Sequence, residues 1–485
     1  MANRGAVASG HELTSRAARF AIEEGGGAAD AAIAAAWMAC VVEPVLTSPG
    51  GGGFAMLAEA GERVELCDFF AHTPRRHATG VGGEDIGCDF GDTVQTFVIG
   101  HAATATPGFV PGLFALHQRA ARLPMNRLLA PAIETARSGW EITGFQAYLA
   151  QVVLAILAHD EETAATYLVD GRPPPPGARM SNPRLADFLE RLADGGIDSY
   201  VNDIWPRFLA QQQDHGHLRE DDFAHYRPMW RQPLLLEEAG AQVFLNPPPA
   251  ASGALIGLAL DDLDARPPSA PNLARALDAA DTARKATGHD LAALIAQFGP
   301  PSWRGTTHIS VIDGHGNACA ITISNGEGNG HVVPGCGFML NNMLGETDVN
   351  PAGLDGWPPD TRLSSMMAPT ITRHDNGSLH ALGTGGSNRI RSAMFAVIAR
   401  LLRGNMSLRQ AVEAPRLHVE DGFLDFEPGL PEEEAGQLRA LFPQHRLWQA
   451  PNLFFGGVHG ASLAPGGRLD AFGDPRRDGA AEIIP

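Results

Sequence analysis

The sequence predicts an α+β fold from three observations. The opening is Ala-rich and helix-patterned, and Pro107 to about Gln213 is mainly helical; from Thr306 onward the texture changes to alternating strands. No internal repeat or low-complexity linker interrupts the 485 residues, which are enough to bury a sizeable core without staples.

Taken in order, His11 to Glu24 carries apolar residues at helical spacing and stops at Gly25-Gly-Gly27, and Asp30 precedes a second, Ala-rich helix running to about Val42. Both read as buried. Gly50 to Gly53 leads into two strands between Phe54 and Phe69, turning about Gly61. Pro173 to Pro176 reads as an exposed break, and Asn246-Pro-Pro-Pro249 precedes a helix from Ala254 to Asp264. Thr306 to Asp313 and Asn317 to Ser324 form a hairpin about Gly314-His-Gly316. Strands are expected at Gly337 to Asn341 and Ser378 to Gly383, and a helix at Ile390 to Leu402.

Composition excludes several classes. The longest apolar run, Ala31 to Val42, is far short of a bilayer span, so no membrane segment is expected. Arg4 is followed by no long apolar stretch, so the reading is of a protein without a secretory leader, in the cytoplasm. Five cysteines without a CxxC pair argue against a disulfide frame or a thiolate zinc site and read as small buried hydrophobes. A net charge of −19 repels nucleic acid and anionic lipid, which leaves a small molecule as the expected partner.

If Gly314 to Gly316 is a three-residue loop, Asp313 faces Asn317 and Thr306 falls opposite Ser324. Two hydroxyls then meet at one hairpin end. Such pairs are also ordinary furniture of sheets. The glycine-rich turn Gly385-Gly-Ser387 has no following Lys and reads as an anion nest or a plain turn, and Gly50 to Gly53 as close backbone packing. His308, His315 and His331 have no metal-ligand spacing, and Asp313 and Asp348 offer no calcium-loop register. No metal or cofactor is expected.

These pieces, with their order and spacing, resemble the γ-glutamyltranspeptidase family of N-terminal-nucleophile hydrolases. The resemblance runs nearly end to end: Gly5-Ala-Val-Ala-Ser-Gly-His11, Gly26-Gly-Ala-Ala-Asp30, Val42-Glu-Pro44, Gly50-Gly-Gly-Gly-Phe54, Ala105-Thr-Pro-Gly108, Leu129-Ala-Pro-Ala-Ile133, Asn246-Pro-Pro-Pro249, Thr306-Thr-His308, Leu340-Asn-Asn342, Arg362-Leu-Ser-Ser-Met366, Gly385-Gly-Ser387, Ala414-Pro-Arg416 and Asp474-Pro-Arg476. It implies a four-layer αββα sandwich built as one domain from a precursor cut between Gly305 and Thr306. The large chain would be residues 1–305 and the small chain 306–485, the two staying associated, with a homodimer of such pairs left open. Thr306 would become an amino terminus. A Thr hydroxyl is a poor nucleophile, but an α-amine of pKa near ~7.7 to 8.0 on the same residue is a base already in place.

The resemblance assigns further roles. Ser324 stands where the family has a Thr bonded to the nucleophile, and Gly385 and Gly386 match the oxyanion-hole glycines. Ser364 and Ser365 match the pair on the substrate α-carboxylate, and Glu346 the acid for the α-ammonium. Three positions depart. Phe70, in Asp68-Phe-Phe-Ala71, replaces the carboxylate-clamping Arg; Asn325 shows that the ammonium-binding Asn is shifted or lost; Met343 stands at a position often held by an amide. His72, Arg75 or Arg76 would be the substitutes for the clamp, or else a solvated basic face.

The expectation is therefore an autoprocessing threonine hydrolase that cleaves a γ-glutamyl or related acyl amide through an acyl-enzyme on Thr306, without cofactor. Two alternatives stand beside it: a non-glutamyl, acylase-like amide hydrolase or a biosynthetic enzyme on an unusual substrate, and an unprocessed, inactive binding homologue.

Overall fold

The computed structural model describes residues 3–89, 94–286, 305–347 and 349–485. Thirteen of the strands form two stacked antiparallel sheets. They are, in chain order, β1 Gly5–Ser9, β2 Gly52–Ala58, β3 Val64–Phe69, β4 Met229–Arg231, β5 Leu234–Glu238, β6 Ala241–Leu245, β7 Thr307–Asp313, β8 Ala318–Ser324, β9 Thr370–His374, β10 Leu379–Gly385, β11 Gly457–Leu463, β12 Leu469–Phe472 and β13 Ala480–Ile484. The first sheet runs β13-β1-β7-β8-β2-β3-β4 and the second β12-β11-β10-β9-β6-β5. Strands from before and after Gly305 contribute to both sheets, and in the first they interleave.

Side-chain parity explains the stacking. On β7, Ile309 and Val311 face one side, among helices α1 (Glu12–Glu23), α2 (Ala28–Val42), α3 (Phe109–Ala120), α4 (Met125–Ser138) and α5 (Pro183–Ser199). Ile312, with Phe54 and Met56 of β2, faces the other side and meets Val243, Ile371 and Leu382 of the second sheet. Beyond that sheet lie α6 (Ser252–Leu263), α7 (Ala270–Ala286) and α8 (Arg389–Leu402). The layers are thus helix, sheet, sheet, helix, as expected for the αββα sandwich.

Every residue of α2 is buried, and its alanines let neighbouring elements approach closely. Asp30 caps this helix through the Gly27 N–H at 2.8 Å and holds the Arg122 and Leu123 N–H groups with its other oxygen. The five cysteines are buried and form no disulfide. No helix among the described residues is long and apolar enough to cross a membrane.

The expected strand at Gly337 to Asn341 is a correction: Met339 and Leu340 make only isolated bridges, to Val332 and Gly50. Beyond these bridges the stretch is held by the Asn341 side chain, which donates to the Gly50 and Ala105 carbonyls at 2.8 and 3.0 Å. The strand expected to stop at Gly383 runs on to Gly385, which carries it to the hairpin end described next. Of the Pro173–Pro176 break, Pro174 is buried. Asp348 lies outside the described residues.

Candidate active site

The site forms where β7 begins and β8 ends. Thr307 pairs with Ile323 and His308 with Thr322, so the same register sets Thr306 against Ser324. Both hydroxyls donate to the Gly305 carbonyl oxygen, Ser324 Oγ at 2.5 Å and Thr306 Oγ1 at 2.7 Å. The Gly326 N–H donates to Ser324 Oγ at 3.1 Å, which leaves the Ser324 proton aimed at that carbonyl. A Cβ on Gly305 would stand 2.5 Å from the Gly326 carbonyl and 2.6 Å from that of Val45, so this slot admits glycine.

Gly385 closes the site from the second sheet. A Cβ there would collide with the Thr306 carbonyl, so the absence of a side chain lets β10 abut the Thr306 backbone. Gly386 has φ +134°, which favours glycine, and the chain turns through Ser387 into the first turn of α8. A turn into a helix N-terminus gathers backbone N–H groups that favour a negative oxygen. Behind it lies the Arg477 guanidinium, its Nη1 3.0 Å from where a Gly385 Cβ would be. Arg477 is buried and donates to the Leu453 carbonyl at 3.3 Å; burial lowers its pKa to about 10, which leaves it cationic at neutral pH.

A narrow cleft opens at Thr306. Its walls are Phe70, Met343, Val349, Met366, Met367 and Ile390, with Ser324, Ser365, Ser387 and Glu346 as its polar lining beside Thr306. No Lys, Arg or His is among the described lining residues. Phe70 is held in place because its ring stacks on Phe54 at 5.4 Å and its N–H binds Asp68 at 3.0 Å. Asp68 is in turn paired with Arg231 at 2.8 Å and Arg362 at 3.4 Å, and Arg362 also reaches the Phe70 carbonyl.

The geometry brings together Thr306, Ser324, Gly385, Phe70, Ser365 and Glu346, and separates others. Ser364 donates to the Pro249 carbonyl at 2.9 Å, while Ser365 Oγ accepts the Met367 N–H at 3.1 Å. Asn325 is turned to Ser48, whose hydroxyl it accepts at 2.8 Å, and does not line the cleft. His72 and Arg75 lie against Asp360, and Arg76 against Asp221, and none of the three lines the cleft as a replacement clamp.

His308 is buried between Thr322 and Ser310, each at 2.8 Å, and burial with the neighbouring His459 pushes its pKa well down, so it acts as a neutral strut. His331 pairs with Asp160 at 2.7 Å, and His315 is exposed in the hairpin turn. Among the described residues no cluster of His, Cys, Asp or Glu is placed to hold a metal.

Three residues of the site escaped sequence reasoning. Glu43 accepts Thr307 Oγ1 at 2.6 Å and Thr14 Oγ1 at 2.9 Å, and burial raises its pKa to about 7. Its signal was the Val42-Glu-Pro44 stretch. Glu327 accepts the Gly305 N–H at 3.2 Å, and two flanking glycines marked it. Arg477 follows Asp474-Pro-Arg476 and carried no signal of its own.

A family model for gamma-glutamyltranspeptidase matches residues 14–286 and 267–484. The chain is 29% identical over 526 residues to the acylase ACY 1 proenzyme of Pseudomonas sp. (strain V22), covering 99% of this chain and 94% of that one. It is 27% identical over 468 residues to the glutathione hydrolase proenzyme of Pseudomonas aeruginosa, covering 85% and 82%. Its fold matches the crystal structure of cephalosporin acylase from Bacillus halodurans with a TM-score of 0.83 at 22% identity, over 99% of this chain and 96% of the other. With a family match across nearly all of its length and the same layered fold, the chain belongs to the gamma-glutamyltranspeptidase family and is an N-terminal-nucleophile hydrolase.

Proposed function

We propose that the protein matures by cutting itself before Thr306 and then hydrolyses an amide whose acyl part is mainly apolar. The observation that carries this reading is the pair of hydroxyls on the Gly305 carbonyl at the mouth of an apolar cleft. In the precursor, Thr306 Oγ1 adds to the Gly305 carbonyl carbon, the C–N bond breaks with a proton passing to nitrogen, and water hydrolyses the resulting ester. The products are a Gly305 carboxylate and a Thr306 amine.

In the mature enzyme the Thr306 amine takes the hydroxyl proton as Oγ1 attacks the substrate carbonyl, and returns it to the leaving amine. Ser324 orients that hydroxyl. The turn at Gly385 and Gly386 stabilises the oxyanion, with the buried Arg477 charge behind it. Water then releases the acyl group.

The acyl part is inferred from what faces it. A glutamyl head group carries a carboxylate that calls for a cation, and Phe70, Met343 and Met366 supply apolar surface instead. Glu346 suits an ammonium or an N–H donor, which keeps a γ-glutamyl donor as a second reading. Similarity to both an acylase and a glutathione hydrolase supports the two in common.

Hydrolysis of apolar acyl anilides and of a γ-glutamyl anilide, quenched in acid and followed by intact mass, tests the reading. The expected result is faster turnover of the apolar donors and an acyl adduct on the peptide that begins with Thr306. A marked γ-glutamyl preference would overturn the substrate assignment, and an adduct on another residue would overturn the nucleophile.

A further inference from the structure

We propose that Glu327 is a positioning residue for self-cleavage, holding the acyl side of the scissile bond through the Gly305 N–H; this rests on the reading that the chain cuts itself before Thr306. The turn after β8 is built to deliver this side chain. Gly326 has φ +63° and Gly328 φ +91°, so the backbone reverses on either side of Glu327. A Cβ on Gly326 would collide with the side chains of Glu346 and Asn342.

The Glu327 N–H donates to Asn342 Oδ1 at 3.0 Å, and Asn342 Nδ2 donates to the Val98 carbonyl at 3.3 Å. The turn is thereby tied to a neighbouring segment, and the Glu327 side chain, 3% exposed, reaches the Gly305 N–H at 3.2 Å. Gly305 is then gripped at both ends, its N–H by Glu327 and its carbonyl by Ser324 and Thr306. A glycine so held loses the rotations that would swing its carbonyl away from the attacking hydroxyl, which is where a positioning residue accelerates a step.

The test follows conversion of the full 485-residue chain into fragments of 305 and 180 residues by denaturing electrophoresis. Glu327→Ala is expected to split at least ~10-fold more slowly than the native chain, and Glu327→Gln, which keeps an acceptor oxygen, within ~3-fold of it. Thr306→Ala and the double variant Thr306→Ala/Glu327→Ala, neither able to split, are expected to melt within about 3 °C of each other. An alanine variant that splits at the native rate, a glutamine variant as slow as alanine, or a double variant that melts far lower would each overturn the inference. A native chain that never splits would instead overturn the proposed maturation itself.

Discussion

The two sides of the cleft are built on different principles. Where the bond would be cut, packing is so close that side chains are excluded: Gly305 and Gly385 leave no room for a Cβ, and two hydroxyls converge on one carbonyl oxygen. Where the substrate head group would lie, Phe70, Met343 and Met366 form an apolar wall, and Arg362 is committed to Asp68 and the Phe70 carbonyl behind it. The comparison teaches that reaction and recognition are separable in this fold. Hydrogen-bond geometry at a hairpin end fixes the first, and a few side chains on neighbouring loops tune the second.

Thr306→Ala would break the cutting side outright. The chain should remain whole and hydrolysis should fall by about 10³-fold or more, read by electrophoresis and anilide turnover. The next effect concerns the support beneath it. Glu43 has its pKa raised to about 7 by burial, above the ordinary value near 4.5, so its protonated form is favoured in the folded state. The stabilisation is full below pH 4.5 and lost as pH rises through 7, at most about 3 kcal/mol. Melting temperatures of Glu43→Gln across that range should therefore fall less steeply than those of the native chain.

Ser324→Ala removes a buried hydroxyl from the carbonyl and should slow both splitting and turnover, by about 1.5 to 3 kcal/mol where the oxygen is charged. Rescue by Ser324→Thr would locate the effect in the hydroxyl. The smallest change sharpens the recognition side. Phe70→Arg, with Glu346 at hand as a counter-charge, should shift relative preference toward a γ-glutamyl anilide by roughly tenfold while splitting continues. An unchanged preference in a variant that splits normally would show that the head group is chosen elsewhere.

Much of this arrangement was legible in the chain. A short Gly-containing loop locks hairpin register, so Thr306 against Ser324 followed from counting residues, and strand parity then placed alternate residues of β7 in different layers. The strand expected at Gly337 to Asn341 was misjudged because the stretch makes only single bridges, to Val332 and Gly50, and is held beyond them by the Asn341 side chain on the Gly50 and Ala105 carbonyls. Asn325, read through the resemblance as the ammonium-binding Asn shifted or lost, is directed away from the cleft to Ser48 by the turn at Gly326. Glu43, Glu327 and Arg477 were hidden for a common reason. Each reaches the Thr306 region from a different segment of the chain, and no local spacing records that meeting.

The most direct test is terminal sequencing with intact mass on a preparation shown to be turning over substrate. The account predicts a small chain of 180 residues whose first residue is Thr306, bound to a large chain ending at Gly305. Full activity in a chain still joined across Gly305 and Thr306 would contradict it.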